Sequence, residues 1–283
     1  MTAGCFCGIQ YLLNEINISL KKQIYLLLIF ITITQLLSAQ HTKVYIGLGG
    51  IYNSFQDSRF SDVQFNKVSI KPEIGFTRIS DKDYWLANAG FYLFENGFPG
   101  YDTIKIKTLE YNIGFGYLRN IKPGFYLGGT WNVLDYMSRD NSMLGNNANF
   151  YILSSDLFIS AKYLYAFSDN WSLDIGLDYG LISLINTAPS FTANFPQNVV
   201  DNGEVSFLDS DTRNPYNFKN MEAKVFWDQF YFRTYVKVNF KRRLSLIYNW
   251  DMRTYADTKG YPVTNAMHSL ILRFHFISHT KKK

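Results

Sequence analysis

Cysteine is nearly missing from this chain of 283 residues: Cys5 and Cys7 are its two, and none follows them. Beyond that point the sequence therefore offers no disulfide framework, no thiol nucleophile and no thiolate ligand for a metal. Long apolar runs are missing from residue 40 onward, which excludes a bundle of membrane-crossing helices, since each needs about 20 such residues. A 3.6-residue apolar period is missing too, and with it the amphipathic helix. Charge of one sign is not in large excess, with 28 basic against 23 acidic residues. Without residues 1–39 the counts become 26 and 22, and three of the basic residues are the terminal Lys281, Lys282 and Lys283. A body so nearly neutral has no electrostatic footprint for nucleic acid.

What is present near the start is "KKQIYLLLIFITITQLLSAQ". Lys21 and Lys22, the apolar stretch Ile24 to Ile33 and the small pair Ser38-Ala39 follow the layout of a secretory signal peptide, with cleavage expected between Ala39 and Gln40. The residues before Lys21 read as an extension from a misassigned start codon. Residues 1–39 are accordingly set apart, residues 40–276 form the folded domain, and 277–283 are a basic tail.

Aromatic residues are abundant: 18% of the chain, with 21 Tyr and 24 Phe. That is more than one soluble core requires, and girdles at two membrane interfaces would house the excess. From Lys43 on, the recurring pattern is alternation with period 2, the mark of a strand with two unlike faces. Ten segments show it, starting at Lys43, Val68, Tyr84, Thr108, Phe125, Ser155, Ser172, Phe226, Leu244 and His268. Their joints alternate. Short ones at 80–83, 119–124, 168–170 and 241–243 separate long ones at 53–67, 95–107, 135–154, 185–225 and 256–267. Such wiring predicts an all-β, up-and-down antiparallel transmembrane barrel of ten strands, with short periplasmic turns, long outer loops and both termini periplasmic. Twelve strands result if "GEVSFLDS" adds a hairpin. A soluble sandwich also alternates, but it does not need strands this long joined this regularly.

One face of each segment is almost free of charge, as in Leu109, Tyr111, Ile113, Phe115 and Tyr117, and meets lipid. The opposite face carries the polar groups. Counted up from the short turns, Glu73, Glu110, Asp178, Arg233, Asp251 and Arg253 fall at a similar middle height, and the expectation is that they pair across a closed lumen. A proton or ion path is the alternative use of the same groups. Small barrels have interiors that side chains just fill, and unpartnered charges there are costly.

The final segment "HSLILRFHF" places Leu270, Leu272, Phe274 and Phe276 toward lipid. The signal "LLLIFITITQLLSAQ", the ten alternating segments and the terminal "SLILRFHF" together resemble the small outer-membrane β-barrel proteins of Bacteroidota-type bacteria, over residues 40–276. The resemblance implies an outer-membrane location, and a last strand whose Leu270, Leu272, Phe274 and Phe276 are read by the barrel-assembly machinery. Here "ISHTKKK" extends past the aromatic end, so that signal is slightly internal.

Resemblance to outer-membrane lipid A deacylases or phospholipases, the lipid-modifying enzymes of such folds, would require a His and a Ser on one lipid-side face near the outer rim, oriented by an acid. His268 and Ser269 are chain neighbours, and neighbours in a strand point to opposite faces. No spacing suggests a metal site, and no cofactor is implied. The joint at 185–225 mixes Phe191, Phe195, Phe207, Tyr216 and Phe218 with acids and Asn, suited to a cap on the barrel mouth or to a partner-binding surface. The reading is thus a monomeric barrel with a structural or interaction role through its long loops, toward an extracellular or periplasmic protein partner. A narrow channel for small solutes is the second reading, and a lipid-modifying enzyme the third.

Overall fold

The computed structural model describes residues 42–58, 61–98, 101–140, 149–187, 221–241, 243–256 and 262–277. The expected signal peptide, both cysteines, the basic tail, the aromatics of the 185–225 joint and "GEVSFLDS" lie outside the described residues. Lys43–Ile277 forms one compact unit, and of the second unit only Thr42 is among the described residues.

Eleven strands follow one another, and no helix occurs among the described residues. They are β1 (Thr42–Asp57), β2 (Ser61–Ile79), β3 (Asp83–Phe98), β4 (Tyr101–Lys122), β5 (Phe125–Asp140), β6 (Asn149–Ala166), β7 (Trp171–Thr187), the short β8 (Glu222–Val225), β9 (Gln229–Phe240), β10 (Leu244–Ala256) and β11 (Pro262–Ile277). Apart from β8 and β9, which both pair with β7, neighbours in sequence are neighbours in the sheet; β1 pairs with β11 and β6 with β7, so ten long strands close into a barrel. Closure leaves no long edge unpaired.

The short joints are tight turns. At the β4–β5 hairpin, Pro123 and Gly124 occupy the two central positions between the paired Lys122 and Phe125, and Gly124 has φ +78. Proline presets the first torsion, and glycine supplies the positive second one that a type II turn demands. A Cβ on Gly124 would also meet the carbonyl oxygen of Leu164 at 2.6 Å. At the β2–β3 turn, Ser80 caps the loop, its hydroxyl accepting from the Asp83 amide at 2.9 Å.

At the opposite end the strands run further than alternation predicts. β4 has 22 residues and β2 has 19, so much of the joints expected at 53–67 and 95–107 is paired strand. Where water rather than lipid meets the outer face, alternation of apolar and polar residues is no longer required, yet the ladder still satisfies the backbone. The eighth segment is corrected as well: it is not continuous from Phe226. Phe226–Asp228 turns out of the wall, the Asp228 amide donating to the Val225 carbonyl at 2.8 Å, and both β8 and β9 pair with β7. Between those two pairings β7 holds Gly180 and Leu181, while residues 226–231 fill the other side.

The outer surface carries an apolar band. Ile46, Leu48, Ile70, Leu93, Leu272 and Phe274 are each between 41% and 67% exposed, which would be a large penalty in water. Aromatic contacts border the band at two heights. Trp85 packs on Tyr117 at 4.4 Å and Trp171 on Phe240 at 4.7 Å near the turns. Toward the other end, Phe230 meets Phe232, Phe232 meets Trp250, and Trp250 stacks on His268, which also touches Tyr52. On β9 these levels, Phe240 below and Phe232 or Phe230 above, stand eight to ten residues apart. A rise of about 3.4 Å per residue and a tilt of about 40° make that roughly 21–26 Å, the height of a membrane barrel's apolar band.

Candidate functional site

The lumen is the place where this chain concentrates chemistry, and it is layered. At the turn end Tyr84, Leu118 and Tyr126 form a buried inward cluster. At the long-joint end a larger one contains Phe55, Met137, Ile152, Ile185, Tyr255 and Val263. These residues alternate with lipid-facing ones on their strands, so the same pleat that exposes one side fills the interior with the other. Between the two apolar layers lie the charged groups.

Four ion pairs organise this middle. Arg233 on β9 donates to Asp178 on the adjacent β7 at 2.7 Å, and also reaches Asn132 at 2.8 Å and Thr130 at 3.1 Å on β5. Arg253 on β10 donates to Asp156 on β6 at 3.0 Å and to Ser154 at 2.9 Å, while Ser154 donates to the other Asp156 oxygen at 2.7 Å. Arg273 on β11 pairs with Glu73 on β2, and Lys237 on β9 with Asp174 on β7. Tyr235 donates to the second Asp174 oxygen at 2.8 Å. Because the order around the wall is β6, β7, β9, β10, the Arg253 and Arg233 contacts span the interior as chords rather than following the ladder.

Of the six groups expected at middle height, the structure brings Asp178 and Arg233 together directly. Arg253 and Glu73 instead take Asp156 and Arg273 as partners. Glu110 and Asp251 form no ion pair with any described residue, and one Glu110 carboxylate oxygen is buried without a hydrogen bond. Asp156, Asp174, Lys237 and Arg273 occupy inward positions of their strands. Choosing them as partners requires the closure and stagger of the barrel, which no single segment contains.

Among the described residues, two chambers lie between the side chains. One of about 40 Å³ lies toward the long-joint end and includes Glu110, Asp135, Asp251 and Arg253 in its wall. The other, about 150 Å³, lies toward the turns and is lined among others by Lys71, Lys162, Asp251 and Arg273. Asn112, Asp251 and Met267 belong to both walls. No group of three or more His, Cys, Asp or Glu placed to hold a metal ion occurs among the described residues.

His268 and Ser269 sit on opposite faces. The Ser269 hydroxyl is buried inward and accepts from Asn249 at 2.9 Å, while His268 faces outward and its Nδ1 lies 2.7 Å from the Tyr248 hydroxyl. Leu270, Leu272, Phe274 and Phe276 all face outward on β11 and are exposed there.

No protein-family model matches the chain, and no curated protein matches it. Among solved structures it is similar to the outer membrane protease OmpT from Escherichia coli, at 12% identity and a TM-score of 0.39 over 83% of this chain and 97% of that one. It is also similar to Ail, the attachment invasion locus protein of Yersinia pestis, at 7% identity and 0.33 over 84% and 100%. Neisserial surface protein A is similar at 12% identity and 0.32 over 82% and 97%.

Proposed function

We propose that this chain is an outer-membrane β-barrel whose interior is a structural plug, and whose work is done by the strand ends and loops on the long-joint side. The carrying observation is the layering of the lumen: ion pairs in the middle, with Tyr84 and Leu118 below them and Phe55, Tyr255 and Val263 above. An aqueous pore lined that way would have to wet apolar side chains at both ends, whereas a plug gains from burying them. Cross-lumen chords such as Arg253 to Asp156 add a cost to any widening, because separating a buried pair leaves two desolvated charges.

In this reading the apolar band sits in the outer membrane, the turns and both termini are periplasmic, and a signal peptide within residues 1–39 directs export. The source is a Gram-negative bacterium of the Bacteroidota type, the barrel is a monomer, and Leu270, Leu272, Phe274 and Phe276 present the closing strand to the assembly machinery. An extracellular or periplasmic protein meets the long-joint end.

A narrow channel is the second reading, and the two chambers sharing Asn112, Asp251 and Met267 favour it. Conductance separates the two. Purified barrel inserted into planar bilayers in 1 M salt is expected to give no steady current steps; discrete, reproducible steps would replace the plug with a channel.

A further inference from the structure

The turn end of the barrel is positive just where its lipid-facing wall stops. Arg78, Lys82, Arg119, Lys122, Lys241 and Arg243 stand there against Asp81, Asp83 and Asp169, and Lys43 adds a further cation at the start of β1. Of the first six only Arg78 is half-buried; the others are exposed. None of the six forms an ion pair with a described residue. Asp83 lies opposite Arg119 in the β3–β4 ladder, yet its carboxylate accepts from the Tyr117 hydroxyl at 2.8 Å. Inside the lumen four cations are held by carboxylates; at this rim the positive charge is left for something outside the protein.

The depth of these groups says what that is. Arg78 stands opposite Trp85 in the β2–β3 ladder, level with the Trp85–Tyr117 contact, and Arg119 is the next outward residue after Tyr117 toward the turn. Two residues at about 3.4 Å each and a tilt of about 40° put Arg119 roughly 5 Å below that contact. A bilayer of about 40–45 Å with a hydrocarbon core of about 30 Å has roughly 5–8 Å of headgroup on each side. Basic side chains at such a boundary lay their stems along apolar surface and carry the charge outward. Lys122 and Lys241 do so, with ammonium groups 5.6 Å from the Phe125 centroid and 5.0 Å from that of Phe240, and Phe240 in turn packs on Trp171.

We propose that the turn-end rim is a binding surface for net-anionic glycerophospholipids, whose phosphates pair with Arg78, Lys82, Arg119, Lys122, Lys241 and Arg243. The cations fall on the β2–β3, β4–β5 and β9–β10 turns and the strands entering them, whereas the β6–β7 turn carries Asp169, so the headgroups are held on two arcs of the circumference. An acidic protein would also meet this charge, but cations laid against outward rings stand beside the leaflet, whatever approaches from the water. The inference goes beyond the plug reading and holds whether or not the lumen conducts.

The test uses spin-labelled lipids. The full-length barrel is reconstituted into phosphatidylcholine vesicles, and electron paramagnetic resonance compares the wall-bound fractions of labelled phosphatidylglycerol and labelled phosphatidylcholine. A cation at the membrane surface favours an anionic lipid roughly fivefold, and averaging with lipids at the opposite end brings the expected ratio to about threefold. In about 0.5 M sodium chloride, where the Debye length falls to roughly 4 Å, the ratio should approach one. Replacing all six cations by Gln should have the same effect at low salt. Equal association of the two lipids at low salt overturns the proposal and leaves the rim to an acidic protein; a preference that survives the six replacements overturns it too. If that variant does not fold, the ratio and its salt dependence in the unaltered protein decide.

Discussion

At the scale of the residue, the interior is held by groups that are expensive alone and stable in company. Asp156 is fully buried, and its carboxylate is satisfied by Arg253 and Ser154. Arg253→Met should therefore cost about 3–5 kcal/mol, because it strands the carboxylate in a dry site. Asp156→Leu combined with Arg253→Met should recover most of that loss, since replacing both partners with apolar side chains removes the desolvation cost altogether. Urea unfolding in detergent, followed by tryptophan fluorescence, checks both; a double variant as unstable as the single one would show that the pair is not what that carboxylate depends on. Gly176 makes a different residue-scale point. The Tyr235 ring lies where its Cβ would be, and from there the Tyr235 hydroxyl donates to Asp174.

At the scale of the element, β11 states the two-faced rule most clearly. Leu270, Leu272, Phe274 and Phe276 are exposed while Ser269 and Ile271 are buried, so successive residues meet different solvents. Leu272→Arg should destabilise the barrel by about 2–4 kcal/mol in lipid, and Ala266→Arg, on the same face but above the aromatic level of His268, by about 0–1 kcal/mol. Equilibrium unfolding in phospholipid vesicles measures both; equal effects would mean that the band does not face a membrane core. Strand existence was readable from this alternation because the pattern is imposed wherever lipid lies on one side. Strand ends were not. Past the band, at Ser61–Asn66 of β2 or Tyr101–Ile106 of β4, water on the outer face removes the constraint, and paired strand reads as loop. The break at Phe226–Asp228 was hidden for the opposite reason: "FWDQFYF" alternates well enough, but what it pairs with is decided by β7.

At the scale of the whole molecule, the closed ten-strand barrel follows from joints that alternate short and long, which the chain displays openly. The candidate site was only half readable. That Glu73, Glu110, Asp178, Arg233, Asp251 and Arg253 share the inward face follows from counting along each strand. Their partners follow from curvature, since a chord from β10 to β6 exists only once the sheet has closed. The apolar layers were missed for a related reason: Phe55, Met137, Tyr255 and Val263 fall at or beyond the ends of the alternating segments, where inward and outward positions cannot be told apart without the neighbouring strand.

The wall itself is not uniformly fastened. β10 and β11 are joined by an unbroken register from Leu244↔Phe274 to Ala256↔Pro262, whereas the join beside β7 changes partner at Gly180 and Leu181. A cylinder closed by such ladders has a fault line where the rungs skip. Thermal opening should begin there, and amide hydrogens of Gly180 and Leu181 should exchange with solvent well before those of Leu246 to Met252; uniform protection around the circumference would argue that the skipped rungs cost nothing. Any deformation of the barrel, whether by heat, by lipid pressure or by a partner pulling on the long-joint end, would then be focused on the short arc of wall next to the protruding Phe226 and Trp227.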